Sequence, residues 1–368
     1  MNPAATTFRV ILLSLMVGIP SPLSSAEPET PYAPLDAKLV STPQTLLNLF
    51  HAPEVLRELG VSDRQFQELR PALQDIDGPW WRARIVGPEE QRTITARQEG
   101  LLTELIRARI GDSAVRRLRQ IELQSQGTRC LIRPEVVTAI GLSTRQTSEL
   151  TDMFAATDDL ARKAIPRPGV EDPDAAAAWQ KAKAAEFDSV RSMLSAAQQK
   201  KLMQLVGQPL DTASLKRIYP LVPELIDSGS WIGAKQQLSQ LRGKVVLVHF
   251  YAYQCSNCIA NFTIYNRWQK ELTSQGVVVI GIQTPETASE RNFDNVASAA
   301  RKDGFEFPVL VDLKNQNWDA WSNTMWPTVY VIDKQGFVRF WWQGELRWQG
   351  ATADQKIEQL VAELLREP

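Results

Sequence analysis

The chain has 368 residues, 43% hydrophobic and 23% charged, a globular balance that excludes wholesale disorder. Lys and Arg number 41 against 42 Asp and Glu, and neither half of the chain has the basic excess that nucleic-acid binding needs. Two His and three Cys are too few for a multinuclear metal protein, and the length predicts two or three domains.

The N-terminus reads as an address. Arg9 precedes an apolar run from Val10 to Val17, broken by Gly18, Pro20 and Pro22, and Ser24-Ser25-Ala26 has the small-x-small form of a cleavage site. The run is shorter than the ~20 residues of a spanning helix, and no Cys follows it to carry a lipid. Residues 1–26 are therefore expected to be a signal peptide, with an uncleaved anchor as the alternative. The rest of the chain would be exported to a periplasmic or other extracytoplasmic space where disulfides form. No other stretch is long and apolar enough to span a membrane. Residues 27–44, rich in Pro, Ser and Thr, read as a linker.

From 45 to 208 apolar residues recur three and four apart, a helical pattern. Within it lies a repeat at an offset of 81 residues: Pro53-Glu54-Val55 returns as Pro134-Glu135-Val136, and Leu59-Gly60-Val61-Ser62 as Ile140-Gly141-Leu142-Ser143. Gly60 and Gly141 are placed to end a helix. Ser62 with Gln65, Ser143 with Gln146 and Ser195 with Gln198 have capping-box spacing. Two such units could bury their apolar faces in one bundle. No catalytic cluster is visible here. His51 reads as a surface or half-buried structural residue. Cys130 reads as a buried small hydrophobe, the alternative being a redox-coupled thiol. Trp80-Trp81, after Gly78-Pro79, reads as core packing at a helix end, and 166–178 as an exposed loop.

Residues 209–224 form a second linker, and from 225 to 368 strands alternate with helices. Lys244–Tyr251 is a continuous apolar strand of the kind buried on both faces. Cys255-Ser256-Asn257-Cys258 follows at once and opens a helix over about 257–274. Val277–Ile282 is a second buried strand. A helix over about 286–303 leads to a short strand at 308–311. Two strands, 328–332 and 336–341, form a hairpin, and a last helix spans about 353–366. This order predicts an α/β layout with a mixed sheet. A Cys at a helix N-terminus meets unpaired N–H groups that favour thiolate, and the second Cys one turn on is within reach of it.

The run Leu241-Arg242-Gly243-Lys244-Val245-Val246-Leu247-Val248, then Phe250, Ala252 and Cys255-x-x-Cys258, resembles the thioredoxin fold in its exported TlpA-like branch. Gly281-Ile282-Gln283-Thr284-Pro285-Glu286, Trp326-Pro327-Thr328 and Val331-Ile332-Asp333-x-x-Gly336 continue the match. The Cys-x-Asn-Cys and Trp-Pro details are most similar to the C-terminal domain of DipZ-type reductases. The resemblance covers about 225–366, and the helical half lies outside it. It implies that Cys255 attacks a substrate disulfide, that Cys258 resolves the mixed disulfide, and that the two form the redox-active disulfide. It implies too that Pro327 is a cis-proline beside the pair, and that Trp326 borders the substrate.

Two departures stand out. The acid that thioredoxins bury six residues before the first Cys is His249 here. The Glu that some TlpA-like proteins place six residues after it is Asn261. His249 is thus a candidate base for Cys258, through water, with a core His whose hydrogen bond is satisfied as the equal alternative. Gln254 also replaces the familiar Trp before the first Cys.

A zinc site would need two further ligands near the Cys pair. Peroxidase chemistry would want Thr or Ser at Ala252 and Pro at Val248. Neither is favoured. The expected activity is reduction of protein disulfides, with apocytochrome or a metallochaperone thiol as the substrate the resemblance suggests. No nucleotide or flavin motif is present, so no cofactor is expected and a membrane electron donor is needed. The alternative is a binding or chaperone-like protein acting through its helical domain, with the thioredoxin-like domain as a redox-controlled scaffold.

Overall fold

The computed structural model describes residues 46–164, 173–212, 214–215 and 219–367. The expected signal peptide and first linker lie outside the described residues, as does 166–172 of the expected loop. The chain divides into two compact units. One holds the residues up to Ala72 together with Gly87–Arg217; the other holds Leu73–Val86 and Ile218–Pro368.

The first unit is helical. Its elements are α1 (Leu46–Phe50), α2 (Pro53–Glu58), the first half of α3 (Asp63–Arg82), α4 (Pro88–Arg109), α5 (Asp112–Ser125), α6 (Pro134–Ile140), α7 (Thr144–Ala164), α8 (Pro173–Met193) and α9 (Ala196–Val206). The repeat is built as two copies of one helix entry. Gly60 and Gly141 adopt φ of 71° and 72° after α2 and α6. The Ser62 backbone N–H donates to Gln65 Oε1 at 3.0 Å, and the Gln65 N–H donates back to Ser62 Oγ at 3.3 Å. Ser143 and Gln146 do the same at 3.0 and 3.2 Å. Ser195 and Gln198 cap α9 in the same way at 3.0 and 3.3 Å. Each cap satisfies two orphan donors of a helix start.

Leu131, Val136, Ile140, Leu150, Phe154, Val190, Leu202 and Val206 share one buried cluster with Cys130. Three expectations are corrected here. His51 is buried, because it follows α1, whose leucines and Phe50 all face inward. Helix α8 starts at Pro173 inside the expected loop, with Pro in the first turn where it has no N–H to lose. Helix α3 runs on through Gly78 and Pro79 to Arg82 and crosses from one unit into the other.

The second unit is the expected α/β domain with a mixed sheet. Six strands lie in the order β1 (Trp231–Ile232), β4 (Val309–Val311), β3 (Val277–Gln283), β2 (Val245–Tyr251), β5 (Thr328–Ile332) and β6 (Val338–Gln343). β2 pairs parallel to β3, and β3 parallel to β4; the β1, β5 and β6 pairings are antiparallel. The two-residue edge strand β1 carries no pattern that the sequence could have announced. Helices α10 (Ser256–Leu272), α11 (Phe293–Lys302), α12 (Gln316–Ala320) and α13 (Ala353–Arg366) complete the unit.

Alternation along β2 sorts the core into two layers. Val245, Leu247 and Tyr251 pack with Cys258, Tyr265 and Trp268 of α10 and with Ile357 and Val361 of α13. Val246, Val248 and Phe250 face the other way, onto Leu238, Leu241, Trp321, Tyr330 and Trp341. Trp81 belongs to that second layer. Its ring meets those of Tyr219, Tyr330 and Trp341 edge-on at 6.2, 6.2 and 5.0 Å. Residues 73–86, read from sequence as part of the helical half, therefore complete the α/β core.

Candidate active site

All seven residues of β2 are buried, and the strand delivers the chain to its own C-terminal edge, where ligand sites of open α/β sheets form. Cys255 is the N-cap residue of α10. It is half-buried, while Cys258 is fully buried one turn on. Both are free thiols. The Cys258 thiol hydrogen-bonds the Cys255 sulfur, and backbone N–H groups of Cys258 and Asn257 point at it too. Together, against some burial, they bring the Cys255 pKa down to about 7. The same arrangement, with burial as the larger cause, pushes the Cys258 thiol far up. The pair is thus divided into a half-buried thiolate former and a fully buried proton holder.

The register places the rest of the site. Phe250 of β2 sits opposite Thr328 of β5, so Pro327 lies beside the turn that carries the Cys pair. The Trp326–Pro327 peptide bond is cis. The half-buried Trp326 indole stacks on Trp318 with centroids 4.1 Å apart. Its Nε1–H donates to Thr284 Oγ1 at 2.7 Å, and the Thr284 N–H donates to the Tyr251 carbonyl at 2.9 Å. Trp326 is therefore tied through one residue to the end of β2. Ile259 and Met325, the neighbours in sequence of Cys258 and Trp326, are exposed apolar side chains.

His249 lies on the sheet face of Cys258, but the structure does not bring the two into hydrogen-bond contact. Both ring nitrogens lack a hydrogen-bond partner. Burial alone lowers the imidazole pKa to about 3, so the ring is neutral through the physiological range. Asn261, at the other departure, donates to the Gly344 carbonyl at 3.2 Å and accepts from the Leu346 N–H at 3.0 Å. It fastens α10 to the loop after β6. Cys130 lies apart in the helical unit, its thiol pushed up to about 12 by burial.

One residue escaped the sequence reading. Glu290 is completely buried, and its carboxylate accepts three backbone N–H bonds at 2.8 Å, from Gln254, Glu286 and Thr287. Gln254 immediately precedes Cys255, and its side-chain oxygen also accepts from Thr287 Oγ1 and Ser289 Oγ at 2.6 and 2.9 Å. A glutamate in a polar loop carries no periodic signal, so nothing in the sequence marks it. No cluster of His, Cys, Asp or Glu suited to a metal occurs among the described residues.

A parallel-centred sheet, a Cys-x-x-Cys pair at a helix start and a proline loop beside it define a thioredoxin-like domain of the thiol–disulfide oxidoreductase class. Residues 207–341 match the AhpC/TSA family. Over 102 residues the chain is 40% identical to Protein DipZ of Mycobacterium tuberculosis (strain CDC 1551 / Oshkosh), covering 28% of this chain and 15% of that protein. It is 30% identical over 107 residues to the thiol-disulfide oxidoreductase ResA of Bacillus subtilis (strain 168), covering 29% of this chain and 56% of that protein. The chain thus spans only about 15% of the length of the DipZ proteins it matches. A solved thiol-disulfide isomerase structure from Corynebacterium glutamicum covers 40% of this chain and 97% of its own, at 22% identity and a TM-score of 0.36.

Proposed function

We propose that this chain is an exported thiol–disulfide oxidoreductase that reduces protein disulfides. The observation that carries the proposal is the division of labour between Cys255, held near pH 7 at the head of α10, and Cys258, buried and kept protonated. A thiol near 7 resembles the attacking group of reductants more than the value of about 3.5 found in strong oxidants of the same fold. The Cys255 thiolate attacks one sulfur of a substrate disulfide, and the other substrate sulfur leaves as a thiolate and takes up a proton. Cys258 then loses its proton and attacks the Cys255 sulfur. The second substrate thiol is released, and the Cys255–Cys258 disulfide holds the two-electron oxidation.

The next turnover needs two electrons from outside the chain. A membrane donor fits an exported protein whose sequence carries no nucleotide or flavin motif. The pattern of residues 1–26 supports export. Among the described residues no helix is long and apolar enough to cross a membrane. Half-exposed Trp326 and exposed Met325 and Ile259 suit an extended, partly apolar polypeptide segment around the target disulfide.

The test is the reduction potential of the pair, titrated against glutathione or dithiothreitol. A value near or below about −230 mV fits a reductant, and one near −120 mV would reverse the direction.

A further inference from the structure

We propose that Trp81 and Arg84, which lie more than two hundred residues before the loop at 321–327, are positioning residues for thiol–disulfide exchange. They set the backbone that leads into Met325, Trp326 and Pro327. The proposal rests on the exchange activity argued above.

The loop begins with strain. Ser322 is not glycine, yet it adopts φ of 52°. A backbone of that kind persists only where its surroundings over-determine it. Arg84 supplies the determination. Its Nη2 donates to the carbonyls of both Trp321 and Ser322, each at 2.7 Å, and reaches Tyr330 Oη at 3.4 Å. Its Nη1 donates to the Trp81 carbonyl at 2.8 Å, and its guanidinium lies 3.8 Å from the centroid of the Trp81 ring. Trp81 Nε1–H adds a second bond to the Trp321 carbonyl at 3.3 Å.

From the far side Tyr330 Oη donates to Asn323 Oδ1 at 2.6 Å. The Thr328 hydroxyl then fixes the Met325 carbonyl at 2.7 Å. The two carbonyls flanking the left-handed residue are thus held by one planar, permanently charged group. A lysine ammonium could meet these two carbonyls, but it could not also hold the Trp81 carbonyl through a second nitrogen while lying flat on the indole. Trp81 is a wall of the same core layer, so guanidinium and indole arrive as one rigid element. The substrate edge is built from residues of 321–327 and shaped by two side chains of 73–86.

The experiment compares the full chain with Arg84→Ala, Arg84→Lys and Trp81→Phe, well below their unfolding temperatures. KM and kcat are measured for reduction of a synthetic peptide containing an intramolecular disulfide, with dithiothreitol supplied to re-reduce the Cys pair and its uncatalysed reaction with the peptide subtracted. Alkylation of Cys255 by iodoacetamide, which needs no substrate edge, is measured beside them.

Arg84→Ala is expected to raise KM by about three- to tenfold, the scale of one hydrogen bond, with the alkylation rate unmoved. Arg84→Lys should recover part of the loss, and Trp81→Phe should show a smaller rise. A purely structural role moves only the melting temperature. Wild-type KM and kcat in folded Arg84→Ala and Trp81→Phe would overturn the proposal. If Arg84→Ala does not fold, Arg84→Lys and Trp81→Phe decide it on the same comparison. If the wild-type chain alkylates at Cys255 but reduces no peptide, the exchange reading itself has failed, and this proposal with it.

Discussion

The imidazole of His249 lies nearly flat on the phenol ring of Tyr265, with centroids 4.1 Å apart and planes 21° from parallel. Phe307 meets the imidazole edge-on from another side at 5.0 Å. Gly281 on the neighbouring strand leaves it room: a Cβ there would come within 3.3 Å of His249 Cε1. A residue in the slot where thioredoxins keep an acid is thus packed here as an aromatic.

That packing has a consequence in acid. The folded pKa of His249, about 3, lies below the ordinary 6.5. The stability tied to its neutral form is fully present above about pH 6.5 and drains away as pH falls toward 3. One proton contributes a slope of up to about 1.4 kcal/mol per pH unit in that window. His249→Leu should lose this slope and leave the Cys255 alkylation rate unchanged. Urea unfolding at pH 5, 6 and 7 measures it, and an equal slope in both proteins would refute the assignment.

The largest single cause of the low Cys255 pKa is the hydrogen bond from the Cys258 thiol. In reduced protein, Cys258→Ala should move the midpoint of Cys255 alkylation upward from about 7, toward an ordinary thiol. The same variant should accumulate a mixed disulfide with substrate, because the resolving thiol is gone. Cys130 stays silent in the assay, being buried with its thiol near 12. A midpoint that stays at about 7 would assign the effect to the helix amides instead.

Glu290 offers a third test. Its Oε1 accepts from Gln254, and its Oε2 accepts from Glu286 and Thr287. A glutamine there has one carbonyl oxygen, so at least one of these N–H groups would face an amide nitrogen. Glu290→Gln should cost about 1–3 kcal/mol in urea unfolding and slow exchange at Cys255, whose neighbour is released. A variant with wild-type stability and rate would show that the carboxylate merely fills space.

The α/β half was legible because its signals are local. A buried strand running into Cys-x-x-Cys, a Trp-Pro before another strand and Ser-x-x-Gln caps each lie within a few residues. What was illegible depends on distance. Helix α3 keeps its periodicity across the division between the units, so no break marks where Leu73 changes core. Trp81 reads as the end of a helix, and only the fold shows which core it enters. Asn261 and Glu290 act through backbone groups, which no residue pattern records. His249 is legible as a departure, but the satisfied hydrogen bond expected of a core histidine is missing, since its ring is packed among aromatics with both nitrogens unpartnered.

The separation of 240 residues between Trp81 and the carbonyl it meets also orders events during synthesis. The stretch 73–86 leaves the ribosome with the helical residues and must wait, its tryptophan unburied, until the last strands arrive. Contacts of such long range close late and slow the search for the native state. A fragment starting at residue 219 would retain every cysteine of the pair and yet lack one wall of its own interior. Folding of the α/β unit is therefore expected to be completed only after Trp321 has been made, when the tryptophan at 81 meets its carbonyl.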